Sequence, residues 1–394
     1  MIASEVRALF AVASRPEIVS LAGGMPAVDA LPMEAVAATV ADVVTRRGAV
    51  ALQYGSAQGD PELRARICDV MALEGITDAH PDSVVVTAGS QQALDLLTRV
   101  FVDPGDVVLT EGPTYVTAIN TFAAYQARVV HVPMDDEGLS PAALAQTLAR
   151  LAADGARVKL LYTVPTFQNP AGITLTPSRR GEVVELCRRA GVLVVEDNPY
   201  GLLSFTGAPT RAMRADAPED VVYLGSFSKT LAPGLRVGWA LAPPAVTARL
   251  VLAAESAILS QSMFTQLAVE RYLATQPWAE QLKGLRELYR ERRDAMLGTL
   301  AEQMPAGTSW TRPDGGFFVW LTLPDGVDTK AMLARAIAAR VAYVPGRGFY
   351  ADGSGGTSMR LSYCYPPADR VREGVERLAR VVRDELALRD TFRS

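Results

Sequence analysis

The segment Gly225-Ser-Phe-Ser-Lys-Thr230 follows directly on the apolar run Val221-Val-Tyr-Leu224, which puts Lys229 at the end of a candidate buried strand. An ammonium there is costly unless it has a partner or a lowered pKa. A lysine at a strand's C-terminal end can form an imine with an aldehyde-bearing cofactor or substrate. Ser226 and Ser228 could donate to a phosphate, and Arg236, seven residues beyond the lysine, could clamp it through both arms of its guanidinium. An ordinary surface loop accounts for Ser-Phe-Ser-Lys equally well.

Other strand ends carry matching chemistry. Val192-Leu-Val-Val195 runs into Glu196-Asp197, where ligands of an open sheet bind. One carboxylate there can keep a pyridine nitrogen protonated. Asp197, placed farther past the strand, is the candidate, and Glu196 reads as outward or structural; a capping role suits Asp197 as well. Thr87-Ala-Gly-Ser-Gln-Gln92 places Gly89 at a tight turn and Ser90 and Gln91 at a helix start, which forms an anion site or simply a capped helix. Tyr115 could stack on a planar ring or sit in the core. Asn169, in Phe167-Gln-Asn-Pro170, and Tyr200 could bind a ring hydroxyl; an Asn-Pro turn is the plainer reading of the first. Arg360 lies inside the apolar run 359–363, where its charge needs an answer, from a substrate carboxylate or from an internal acid. Tyr54 shows no mechanism of its own.

The elements that must position these groups alternate between 80 and 245. Short β-branched runs at Val84, Val107, Val129, Val158, Val192, Val221 and Val237 are separated by helical stretches. Continuous apolar runs indicate a mostly parallel sheet covered on both faces, an α/β fold. The pattern turns helical from 245 to 301, and a smaller α+β unit follows. Thr176 and Pro177 read as cap and first residue of a helix that carries Cys187 in its apolar stripe. We expect three parts: 1–47, packing with the small unit; 48–285, the large unit; and 286–394, the small one.

Composition narrows the alternatives. Lys and Arg number 39 against 43 Asp and Glu, and the basic pairs Arg179-Arg180 and Arg292-Arg293 read as solvated helix faces, so no nucleic-acid partner is expected. Three cysteines and two histidines, widely spaced, make neither a disulfide framework nor a metal set. There is no G-x-G-x-x-G or Walker-type loop. No run approaches the roughly 20 apolar residues of a membrane span, and the N-terminus lacks the pattern of a signal peptide. A cytoplasmic location is the default expectation, without membrane association.

Six segments, in order, resemble the fold-type I pyridoxal-phosphate enzymes, specifically the class I/II aminotransferases: Ser20-Leu-Ala-Gly-Gly-Met-Pro26, 87–92, 162–172 with its Phe-Gln-Asn-Pro core, 196–200, 226–239 and 359–366. Within that family the chain is similar to the branch of 2-aminoadipate and broad-specificity aromatic aminotransferases. The resemblance implies pyridoxal 5'-phosphate, with Lys229 as Schiff-base lysine, Asp197 on the pyridine nitrogen and Tyr115 stacked on the ring. Asn169 and Tyr200 would bind the ring hydroxyl, and Ser90, Gln91, Ser226, Ser228 and Arg236 the phosphate. Arg360 would take the substrate α-carboxylate, with Gly24 nearby. Tyr54 would reach the phosphate of a neighbouring subunit, so a homodimer is expected.

In the aminoadipate-type members a mobile N-terminal helix covers the site, and Arg7 holds the position of an arginine that contacts a distal substrate carboxylate. This chain starts at Met1 almost on that helix. The implied reaction moves the amino group of an L-amino acid (2-aminoadipate, aromatic or branched aliphatic) to a 2-oxo acid, such as 2-oxoglutarate, with ping-pong kinetics. Rival readings are a β-lyase, decarboxylase or racemase of the same fold type. A non-catalytic effector-sensing domain is a further rival, though such regulators carry a DNA-binding domain for which this chain has no room.

Overall fold

Val84–Thr87 (β2), Val107–Gly112 (β3), Arg128–Asp135 (β4), Gly138–Leu139 (β5), Val158–Thr163 (β6), Leu193–Asp197 (β7), Val221–Ser226 (β8) and Gly238–Leu241 (β9) form one eight-stranded sheet in a computed structural model that describes residues 15–393. The order is β2-β9-β8-β7-β6-β3-β4-β5. Strands β8, β7, β6, β3 and β4 pair in parallel, whereas β9 runs against both its neighbours and β5 against β4. Arg7, with Leu9, Phe10 and Val12 around it, lies outside the described residues.

The strands are apolar throughout because helices cover both faces. With period-2 alternation, Leu161, Val194 and Val221 point into one core layer, and Leu160, Val195 and Val222 into the other. Cys187 is fully buried in the first of these layers. Its helix, Pro177–Ala190, starts with proline at the first turn and ends at Gly191 in the left-handed region (φ 67°). Thr176 occupies the cap position without donating or accepting a side-chain capping bond there.

The smaller sheet contains Ser309–Trp310 (β10), Phe318–Thr322 (β11), Val344–Pro345 (β13) and Ser358–Ser362 (β14), all antiparallel, in the order β10-β11-β14-β13. Val19–Ser20 (β1) pairs in parallel with Val341–Ala342 (β12). The chain then turns back, and the helix Met33–Ala51 packs on the helix Met263–Thr275 at the large sheet's side of the molecule. Among the described residues no helix is long and apolar enough to cross a membrane.

One sequence expectation needs correction. Arg180 and Arg292 are not on solvated faces; both are buried. Arg180 donates to the carbonyls of Leu175 (3.0 Å), Pro165 (2.9 Å) and Arg211 (3.0 Å) and to Thr166 Oγ1 (2.8 Å). Arg292 donates to the carbonyls of Cys364 and Tyr365. Adjacent helical residues point about 100° apart, so one arginine of each pair turns inward while its neighbour reaches water or surface acids. Glu196 takes the structural of its two readings: it is fully buried and accepts from the backbone N–H of Met213 (3.0 Å) and Arg214 (2.9 Å).

This contrast is measurable. Arg180→Ala strands four acceptors and should destabilise the fold by roughly 3 kcal/mol or more. Arg179→Ala, which loses the surface acids Asp135 and Glu137 and a bond to the Gly138 carbonyl, should cost about 1 kcal/mol. Equal midpoints for the two variants in urea unfolding would contradict the assignment.

Candidate active site

Parallel pairing brings the C-terminal ends of β2, β3, β6, β7 and β8 to one edge of the sheet, and the loop entering the reversed β9 starts there too. A cavity of about 440 Å³ opens at that edge, lined by Gly24, Ser90, Gln91, Tyr115, Asn169, Asp197, Tyr200, Ser226, Ser228, Lys229, Arg236 and Arg360. Every candidate but two therefore meets in one place. Arg7 lies outside the described residues, and Tyr54 stands on the outer surface, 77 % exposed.

At one end is a cradle for a multiply charged anion. Gly89 has φ 82°, and a Cβ there would lie 2.6 Å from Arg236 Nη2. Arg236 donates to the Ala88 carbonyl and holds φ 52°, a left-handed value unusual for a side-chain-bearing residue. A Cβ on Gly238 would strike the Gly89–Ser90 backbone at 2.6–2.7 Å. Only these glycines let the strand, the turn and the guanidinium close around one point. The Ser226 hydroxyl donates to Ser228 Oγ (2.8 Å) and accepts the Ser228 N–H (3.0 Å), which fixes both side chains beside Arg236. The helix Ser90–Phe101 begins at the same point, and its first N–H groups have no partner within the helix. Gln91 contributes backbone more than side chain, since its Nε2 is given to Thr121 Oγ1 (2.7 Å).

Lys229 reaches the middle of the cavity, where Nζ donates to the Gly24 carbonyl (2.8 Å). Burial pushes its pKa down to about 8, the charges of Arg360 and Arg236 push the same way, and the Cys364 thiol pulls upward. Its outer surface is only half-buried because the cavity itself exposes it. Asp197 is the last residue of β7 rather than a loop residue beyond it. Burial raises its pKa to about 6, against the pull of Tyr162 and Ser90. Tyr162 donates to Oδ2 (2.8 Å), whereas no hydrogen bond of sound geometry, from Ser90 or elsewhere, reaches the buried Oδ1.

Arg360 is buried between the rings of Phe318 and Phe349, at 4.1 and 5.2 Å from their centroids. It donates to Asn169 Oδ1 (2.9 Å) and to the Ala22 carbonyl (2.7 Å), and Nε is unpartnered. No carboxylate pairs with it among the described residues, so the internal acid offered as the plainer answer is absent. Desolvation lowers its pKa to about 10, which leaves it a cation at neutral pH. Asn169, with Oδ1 committed to Arg360, keeps its Nδ2 for the cavity. Tyr115 and Tyr200 are phenols whose pKa burial raises, so both stay neutral donors.

Sequence reading missed Tyr162, Phe318 and the support of the Asn169 loop. Glu111, fully buried, accepts from Thr163 Oγ1 (2.6 Å), the Val164 N–H (3.1 Å) and Gln168 Nε2 (3.0 Å). Gln168 donates also to the Pro113 carbonyl (2.7 Å) and accepts the Ala171 N–H (2.7 Å). An acid closing an apolar strand, like Glu196 or Asp197, was the available signal for Glu111. Nothing local marked Tyr162, because its importance depends on which strand lies beside β7.

An aldehyde-reactive amine, an anion cradle and a carboxylate oxygen awaiting an N–H stand at the three corners of one cavity. Pyridoxal phosphate bears the three complementary groups, and the sheet that presents them is that of its fold-type I enzymes. The chain belongs to the family of aminotransferases of class I and II, whose model matches residues 16–378. It is 42 % identical to the aromatic-amino-acid aminotransferase 1 of Thermococcus litoralis, over 98 % of this chain and 93 % of that one. The crystal structure of Pyrococcus horikoshii kynurenine aminotransferase in complex with PMP superimposes with a TM-score of 0.94 at 41 % identity, covering 98 % of this chain and 96 % of that one. LysN, the α-aminoadipate aminotransferase of Thermus thermophilus, complexed with N-(5'-phosphopyridoxyl)-L-leucine, gives 0.90 at 38 % identity with the same coverage. The protein is a pyridoxal-phosphate-dependent aminotransferase.

Two titrations should govern cofactor uptake. As partner of a cofactor's ring nitrogen, Asp197 would accept a hydrogen bond from the protonated nitrogen only when ionised, above about pH 6, and Lys229 would attack an aldehyde only when neutral, which becomes the major form above about pH 8. Covalent capture of pyridoxal phosphate by the cofactor-free chain, followed by absorbance, should therefore accelerate between pH 5 and 9 through both steps. A rate independent of pH over that span would refute these protonation states.

Proposed function

We propose that this aminotransferase takes its amino group from L-amino acids with large apolar side chains, aromatic ones foremost, and passes it to 2-oxoglutarate. The observation that carries this reading is the wall around Arg360. Met25, Val116, Val164 and Phe318 line the cavity together with aromatic Tyr115 and Tyr200. The three cations lining it, Lys229, Arg236 and Arg360, each already have a task among the described residues. The names of the Thermococcus and Pyrococcus relatives support the aromatic preference. 2-Aminoadipate, like 2-oxoglutarate, carries a second carboxylate that needs a further cation, and Arg7 is the residue the family pattern offers for it.

Pyridoxal phosphate, when bound, supplies the electron sink that makes the α-proton of an amino acid removable. In this assignment Ser90, Ser226, Ser228 and Arg236 would hold its phosphate, Asp197 its ring nitrogen, and Asn169 and Tyr200 its ring hydroxyl, and Tyr115 would stack on the ring. Arg360 binds the substrate α-carboxylate through a planar fork that no acid occupies among the described residues, and the Phe318 ring excludes water beside it. Lys229 Nζ, with a pKa near neutrality, takes the proton from the substrate α-carbon. Gly24, whose carbonyl holds that amine, leaves little room for a side chain: a Cβ would crowd the tip of the Phe318 ring at 3.0 Å.

We also read residues 48–285 and 286–394 as the large and small units, and the working form as a homodimer. Leu52 and Tyr54, both 77 % exposed, adjoin Leu259 (51 %) near the Gly55–Ser260 hydrogen bond. That is a large apolar surface to leave in water. A second copy would cover it and make use of Tyr54.

Amino donors are ranked by single-turnover conversion of the bound cofactor from its aldehyde to its amine form, read by absorbance. Phenylalanine and tyrosine should react at least about tenfold faster than aspartate, since a buried unpaired carboxylate costs several kcal/mol. A preference for aspartate would overturn the assignment. Analytical ultracentrifugation should report twice the 42.1 kDa chain mass, and a single species at the chain mass would refute the dimer.

A further inference from the structure

Asp197 is held in a way that the family pattern of cofactor contacts does not account for. It is a fully desolvated carboxylate, and no cation pairs with it among the described residues. Ser90, Tyr115 and Tyr200 are its other polar neighbours, and none makes a hydrogen bond of sound geometry to it. A carboxylate so placed has two outcomes. It takes up a proton and becomes a donor, or strong donors hold it ionised.

Among the described residues, the one donor of good geometry is the Tyr162 hydroxyl, 2.8 Å from Oδ2. Tyr162 is fully buried at the end of β6, in register with Val195 of β7, two residues before Asp197. Phe122 stands edge-on to its ring at 5.7 Å and fixes its direction. Burial and the Asp197 charge both push the phenol well above its ordinary pKa. It therefore keeps its proton and can only donate. Packing alone does not explain a hydroxyl here: Leu160 and Leu161 fill the preceding positions of the same strand without one.

We propose that Tyr162 is a positioning residue for the cofactor's ring nitrogen, its hydroxyl occupying Oδ2 of Asp197 so that Oδ1 is presented, ionised, to the ring N–H. This rests on Asp197 being the ring-nitrogen partner. Tyr162 touches neither substrate nor the reacting carbon. It acts by keeping one oxygen of the carboxylate engaged and the other empty, and by making the ionised form the stable one. The unpartnered Oδ1 is the acceptor that this arrangement leaves open.

The test uses the full-length chain freed of cofactor, wild type and Tyr162→Phe, titrated at pH 7 with two probes. One is pyridoxal phosphate; the other is its 1-deaza analogue, in which a C–H replaces the ring nitrogen. Tyr162→Phe should weaken pyridoxal phosphate about tenfold or more, the worth of one hydrogen bond to a charged group. It should leave the deaza analogue bound as in wild type, because that probe offers Asp197 no proton. Equal weakening of both probes would assign Tyr162 to packing and overturn the proposal, as would no weakening of either. A Tyr162→Phe chain that no longer unfolds cooperatively would also overturn it, by making the hydroxyl structural. If the wild type itself binds both probes alike, the failure lies with the role of Asp197 on which the proposal stands.

Discussion

A buried guanidinium with no carboxylate partner among the described residues ties this molecule together at its working end. Arg360 belongs to the small sheet, Asn169 to a loop of the large sheet and Ala22 to the N-terminal segment, and the hydrogen bonds Arg360 makes join all three. Two carbonyl-type oxygens and two aromatic faces solvate the charge but do not neutralise it. A buried charge left in that state is tolerated where a ligand completes it. In the proposed assignment the cost of burying Arg360 is coupled to the reaction, because the substrate's carboxylate would supply what the fold withholds.

The same logic sets the outer layer. The loop that carries Asn169 is a stretch of irregular backbone buried against the sheet, and its polar groups must be satisfied from within. Glu111 and Gln168 do this from one side, and Arg180 from the other through Pro165 and Thr166. None of these residues faces the cavity. They fix the backbone from which Asn169 projects, and through Asn169 they orient Arg360. Replacing any of them would be felt as lost stability first and as misplaced chemistry second.

Much of the site was legible because its groups end strands, where apolar patterning stops abruptly at a polar residue. Asp197 closes β7, Ser90 and Lys229 follow three residues past β2 and β8, and Asn169 lies farther along the loop after β6. What patterning could not show was which face of a helix each arginine takes. Arg179-Arg180 and Arg292-Arg293 look alike as charge pairs, yet one member of each is buried among carbonyls. Glu196 and Asp197 are adjacent too. Alternation along a strand sends one to the backbone N–H groups of Met213 and Arg214 and the other into the cavity.

Lys229 and Asp197 lie 32 positions apart. Residue types, their order and the strand-and-helix rhythm around them were enough to indicate a covered sheet and to offer a lysine, a carboxylate and an anion site at its carboxyl edge, each beside a plainer reading, until the resemblance of six ordered segments joined them. Those are local properties, written in the periodicity of burial and in the cost of leaving a charge in an apolar run. Strand order is not local. Only the tertiary structure set β6 beside β7 and so put the Tyr162 hydroxyl on Asp197. It alone brought Arg360 across 191 positions to Asn169. Such contacts form because each surface must be covered by some other, and a sequence does not state which surface that will be.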